Sequence, residues 1–118
     1  MAVAFVQSKS NFQFGGNQTL VFTSNVTAGN LIAVFIAWDA TDGTLNSVAD
    51  SLGNTYTLLH NPTTEAGGRA GAMAYAKNIT GGACTITPSY SAAINPKWII
   101  AHEISGANTT TPLDVSAM

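Results

Sequence analysis

The stretch Leu31-Ile32-Ala33-Val34-Phe35-Ile36-Ala37-Trp38 decides the fold. It is wholly apolar and rich in β-branched and aromatic residues. The turn-like Thr27-Ala28-Gly29-Asn30 precedes it and Asp39-Ala40-Thr41-Asp42-Gly43 follows it. An apolar run this short between such punctuation reads as a strand, where a helix would need more length. Because its apolarity is continuous, the run predicts a strand covered on both faces, at the centre of a sandwich.

Shorter strands lie on either side of it. Residues 3–8 read as a first strand. A polar, Gly-rich stretch at 9–17 follows, with Phe12 and Phe14 alternating across it. Residues 19–23 read as a second strand. Residues 47–50 and 55–59 flank Ser51-Leu52-Gly53-Asn54 and predict a hairpin, since Gly and Asn tolerate positive φ. Residues 70–76 alternate small side chains with Met73 and Tyr75, a pattern that suggests close approach of another sheet or chain. Pro88 makes the strand at 84–90 an edge or bulged strand, because proline gives no N–H to a ladder. Residues 98–104 form the last clear strand, and 105–118 read as polar coil. No stretch carries helical periodicity. The expected fold is therefore all-β: one antiparallel sandwich domain over 1–118, jelly-roll-like, with about seven to eight strands.

Composition narrows the function classes. Charged residues make up 8% of the 118 residues, far below the usual fraction of about 25%. Ser, Thr, Asn and Gly replace them, and so little charge offers little repulsion against self-association. Lys9, Arg69, Lys77 and Lys97 are scattered, so no basic stripe faces a phosphate backbone and nucleic acid is not an expected partner. The longest apolar run is too short to span a bilayer as a helix, so membrane insertion is not expected either. The N-terminus lacks the pattern of a signal peptide. The lone cysteine, Cys84, has no internal disulfide partner and reads as a small buried residue.

The residue patterns that carry chemistry are sparse. His102-Glu103 is followed by Gly106 where a zinc-protease helix would need its second histidine, and adjacent strand residues face opposite ways. Nothing in the sequence brings Glu65 and Glu103 together as a glycosidase pair. No nucleophile elbow and no phosphate loop occur. The chain is therefore read as no enzyme. Asp39, Asp42 and Asp50 are the candidate calcium ligands, set against the simpler reading of turn-forming aspartates. No other cofactor is expected. Trp38, Trp98, Tyr56, Tyr75 and Tyr90 are the candidate binding residues, because flat rings suit a sugar platform. The competing reading has the tryptophans closing the ends of the core. Asn-x-Ser/Thr sequences at Asn17, Asn25, Asn78 and Asn108 fit chance in so Asn- and Thr-rich a chain.

Several segments carry a family resemblance: Asn25-Val26-Thr27-Ala28-Gly29-Asn30-Leu31-Ile32-Ala33-Val34, Val48-Ala49-Asp50-Ser51-Leu52-Gly53-Asn54-Thr55-Tyr56 and Ala74-Tyr75-Ala76-Lys77-Asn78-Ile79-Thr80-Gly81-Gly82. His102-Glu103-Ile104-Ser105-Gly106 and Thr111-Pro112-Leu113-Asp114 extend it. Together they resemble a β-sandwich, jelly-roll-like module of bacterial extracellular and phage-particle proteins. The resemblance implies a place outside the cell, on a cell surface or on a virion, and brings no catalytic residues. In that module further strands follow Thr111-Pro112-Leu113-Asp114, whereas this chain stops at Met118. The resemblance therefore implies either a sheet completed by another chain or a domain truncated at its C-terminus. The expected function is a structural or binding module that acts by self-association or attachment, as a homo-oligomer or larger assembly. Its contact surfaces are expected at residues 84–90 and 70–76. A carbohydrate-binding module, with a glycan partner, is the alternative, and a small extracellular hydrolase is the third reading.

Overall fold

In the computed structural model, which describes residues 2–59, 68–94 and 97–114, the deciding stretch forms most of β3 (Leu31–Asp39). Seven further strands surround it: β1 (Ala4–Gln13), β2 (Leu20–Val21), β4 (Leu45–Asp50), β5 (Thr57–Leu59), β6 (Arg69–Ala76), β7 (Thr85–Tyr90) and β8 (Lys97–Ser105). They build a five-stranded sheet in the order β1-β8-β3-β6-β5 and a three-stranded sheet in the order β2-β7-β4, with every pairing antiparallel. Two antiparallel sheets packed on one shared core make a β-sandwich. Among the described residues there is no helix, and none therefore that could cross a membrane.

Strand parity sets the core. Ile32, Val34, Ile36 and Trp38 of β3 point inward and are buried, as are Ile99 and Ala101 of β8. Leu20, Val48 and Ile86 meet them from the smaller sheet, and Phe22, Val26, Ile79, Cys84 and Ile94 close the ends. Each large side chain so buried is worth about 1.5–3 kcal/mol. The inward residues of β6 are Ala70, Ala72, Ala74 and Ala76, all buried. The close approach suggested by their size is made within the chain, where Tyr56 and Leu58 pack against the same cluster.

Three sequence expectations change. First, β3 is covered on one face only. Phe35, of opposite parity to the core residues, is 44% exposed, and Ala37 is exposed with it. Second, residues 47–59 form no hairpin: β4 pairs with β7 and β5 with β6, so the chain crosses between sheets there. Asp50 turns it, accepting hydrogen bonds from Leu52 N at 2.9 Å, Asn54 N at 3.2 Å, Asn54 Nδ2 at 2.9 Å and Tyr56 OH at 2.8 Å. Gly53, at φ 76°, takes the left-handed position that this turn requires. Third, β7 is the middle strand of its sheet, although the reason for expecting an edge holds locally. Thr85 O accepts from Ser51 N and Cys84 O from Phe22 N, so alternate residues of β7 face β4 and β2. Pro88 faces β2, which pairs only with Thr85 and Ile86, so its missing N–H falls past the end of that ladder.

Candidate interaction surface

The exposed side of the five-stranded sheet gathers Phe5, Phe12, Phe35 and Trp98, while the exposed Phe14 lies just past the end of β1. Register places Phe12 beside Trp98, Trp98 beside Ala37 and Ala37 beside Gly71. The next row runs Ser10, Ile100, Phe35, Met73, Leu59, and the one after it Ser8, His102, Ala33, Tyr75, Thr57. Phe5, Ile104 and Leu31 finish the face. Phe5 is 66% exposed, Phe12 53%, Ile100 43% and Trp98 39%; in monomeric proteins such side chains are ordinarily scattered singly.

The relief of this face is uneven. Phe12 and Trp98 stack at 5.1 Å between centroids, tilted by 44°, and stand up as a ridge. Beside them Ala37 and Gly71 floor a depression of about 370 Å³, walled by Phe35, Met73, Ile100 and Trp98. His102 sits between Phe5 and Phe35, edge-on to both at 6.3 and 6.2 Å. The charged residues in register on this face are Asp39 and Arg69, opposite each other at one end. Hydrogen bonds from the Thr41 hydroxyl and backbone N–H, with the Arg69 charge nearby, hold the Asp39 carboxyl below its usual range.

The candidate aromatics are divided by this geometry. Trp98 and Tyr75 lie on the outer face. Trp38 is buried, donates Nε1–H to Gly43 O at 3.0 Å and meets Tyr90 edge-on at 6.1 Å. Tyr56 packs against the core with its hydroxyl on Asp50, and burial pushes its phenol well up. Tyr90 lines a second hollow, about 530 Å³, between residues 16–19 and 87–94. Three of its lining side chains, Tyr90, Gln18 and Lys97, tie neighbouring segments together. Tyr90 OH donates to Gln18 Oε1, Gln18 Nε2 donates to Asn11 O and Lys97 O, and Lys97 Nζ donates to Ile94 O. Burial pushes the Tyr90 phenol up as well. Phe5, Phe12, Phe35, Met73 and Ile100 were not among the sequence candidates. The signal for Phe35 was its odd position in a strand whose even positions form the core.

The acidic residues serve the scaffold. Glu103 is fully buried; its Oε1 accepts from Thr27 N and Asn30 Nδ2, its Oε2 from Gln7 Nε2, each at 2.7 Å. It thereby ties β8 to β1 and to the corner before β3. Asp39 closes a local turn onto Thr41. Burial would raise the Asp50 carboxyl, but the hydrogen bonds from Asn54, Tyr56 and Leu52 outweigh it and the net shift is downward. Asp39 and Asp50 lie at the ends of different strands in different sheets, so the proposed calcium set does not converge. Among the described residues no three His, Cys, Asp or Glu side chains cluster to hold a metal ion. Cys84 Sγ lies 3.6 Å from Asp50 Oδ2, and burial beside that carboxylate pushes its thiol up to about 12. Glu65 and His60 lie outside the described residues. Compared with protein-family models, curated proteins and solved structures, the chain gives no significant match.

Proposed function

We propose that this domain is a non-catalytic contact module that works through the outer face of its five-stranded sheet. The observation that carries this reading is the joint exposure of Phe5, Phe12, Phe35, Trp98 and Ile100 on one face. An apolar face of that kind gains by leaving water, at roughly 25 cal/mol per Å². The low charge of the chain removes the repulsion that would oppose contact. A non-catalytic role is supported by the carboxyls of Glu103, Asp39 and Asp50, each taken up by hydrogen bonds within the fold, and by the raised thiol of Cys84. A module of this type belongs on a cell or particle surface, where neighbouring subunits or a matrix supply the other side of the contact. A second reading, carbohydrate binding, is favoured by the Phe12–Trp98 ridge beside a depression, an arrangement that suits the apolar face of a sugar ring.

Ile100 sits in the middle of the face with its side chain exposed, so Ile100→Lys places a charge there without disturbing the core. The domain and this variant are compared by sedimentation alone and by co-pelleting with insoluble cellulose, chitin and xylan. The reading predicts that the domain associates in at least one arm and that Ile100→Lys abolishes it. Inertness in every arm, or association untouched by the variant, overturns it.

A further inference from the structure

We infer that the partner of this face is a second copy of the same chain, packed face to face about a two-fold axis. This rests on the outer sheet face being the contact face. Two-fold packing requires a surface complementary to itself, and this one carries both halves of a fit. Along one row of the sheet the ridge residues Phe12 and Trp98 are followed by the trough residues Ala37 and Gly71. An axis running along the strands between β8 and β3 reverses that order. It lays the second copy's Trp98 over Ala37 and its Phe12 over Gly71. In the adjoining row the same operation sets Ile100 against the second copy's Phe35, and Ser10 against Met73, so that ring and aliphatic surfaces meet.

Charge and size agree with this occupant. Between Phe5 and Trp98 the outward rows contain no acidic or basic side chain other than His102, since Lys9 and Glu103 have the opposite parity, so a copy meets no like-charged row. The four strands that this axis superposes, β1, β8, β3 and β6, each about 4.8 Å wide and with about 3.4 Å of rise per residue over the nine of β3, span a face of roughly 30 by 20 Å. Two such faces enclose roughly 1,200 Å² in total, the lower end of stable specific interfaces. Because the contact is isologous it closes on itself and yields a dimer.

The fit gives a specific test. A Cβ on Gly71 meets only Ile36 O, at 3.7 Å, so Gly71→Arg fills the trough without straining the fold. Trp98→Ala removes the ridge from an exposed position. Sedimentation velocity on the full chain, from low micromolar to several hundred micromolar, is expected to show a monomer–dimer equilibrium. Each variant is expected to weaken it by about tenfold or more, with Gly71→Arg melting no lower than the parent. A monomer at every concentration, an open series of larger species, or a dimer unaffected by either variant overturns the inference. If the chain stays monomeric yet pellets with a polysaccharide in a manner lost on Ile100→Lys, this dimer fails while the contact face stands. If it does neither, both fail.

Discussion

Two carboxyls hold much of the loop architecture. Glu103 joins three segments from a buried position, and Asp50 turns the chain from one sheet to the other. The folded state lowers the Asp50 pKa, so Asp50 contributes stability above its ordinary value of 3.8, and that contribution is lost as pH falls through the lower folded value. The window therefore opens near pH 4 and extends downward. Asp50→Asn keeps the size but offers donors to donors, and is expected to cost about 1–3 kcal/mol at neutral pH. Thermal melts from pH 7 to pH 2 should show the parent losing more of its Tm than the variant below the window's upper limit. Parallel losses would contradict the role given to Asp50.

At the scale of elements, the small residues beside the turns matter as much as the strands. Gly81 sits against the corner before β3: a Cβ there would lie 2.8 Å from Ala28 N and 3.1 Å from Val26 O. The neighbouring Gly82 closes a bridge with Val26 through two bonds of 2.9 Å. Gly81→Ala forces backbone against backbone, with an expected cost of about 1–3 kcal/mol. Denaturant titration should give a lower midpoint at an unchanged slope; a parent-like midpoint would contradict the close approach. The all-β class and β3 were legible because an apolar run between turn residues has few alternatives. The 51–56 crossover was not, because Gly53-Asn54 serves a hairpin and an arch equally and only the sheet partners distinguish them. Residues 9–13 extend β1 although their sequence is polar, since the backbone ladder to β8 continues through Gln13↔Lys97. The site was half legible. Trp98 and Tyr75 stood out as aromatics, whereas Phe35 was hidden in a stretch that reads as core throughout.

For the molecule as a whole, a five-stranded sheet backed by three strands leaves one broad apolar face uncovered among the described residues. Low charge leaves little repulsion across that face, which is what the proposed contact role requires. The two tryptophans report on it directly, because Trp38 is 1% exposed and Trp98 is 39% exposed. A neutral quencher such as acrylamide therefore senses Trp98 above all. Quenching should be followed from about 1 μM to about 300 μM protein, a range that brackets a weak dimer. Face-to-face pairing predicts that quencher access to Trp98 falls as concentration rises, with the emission shifting to the blue. Access that stays constant across the whole range would contradict it.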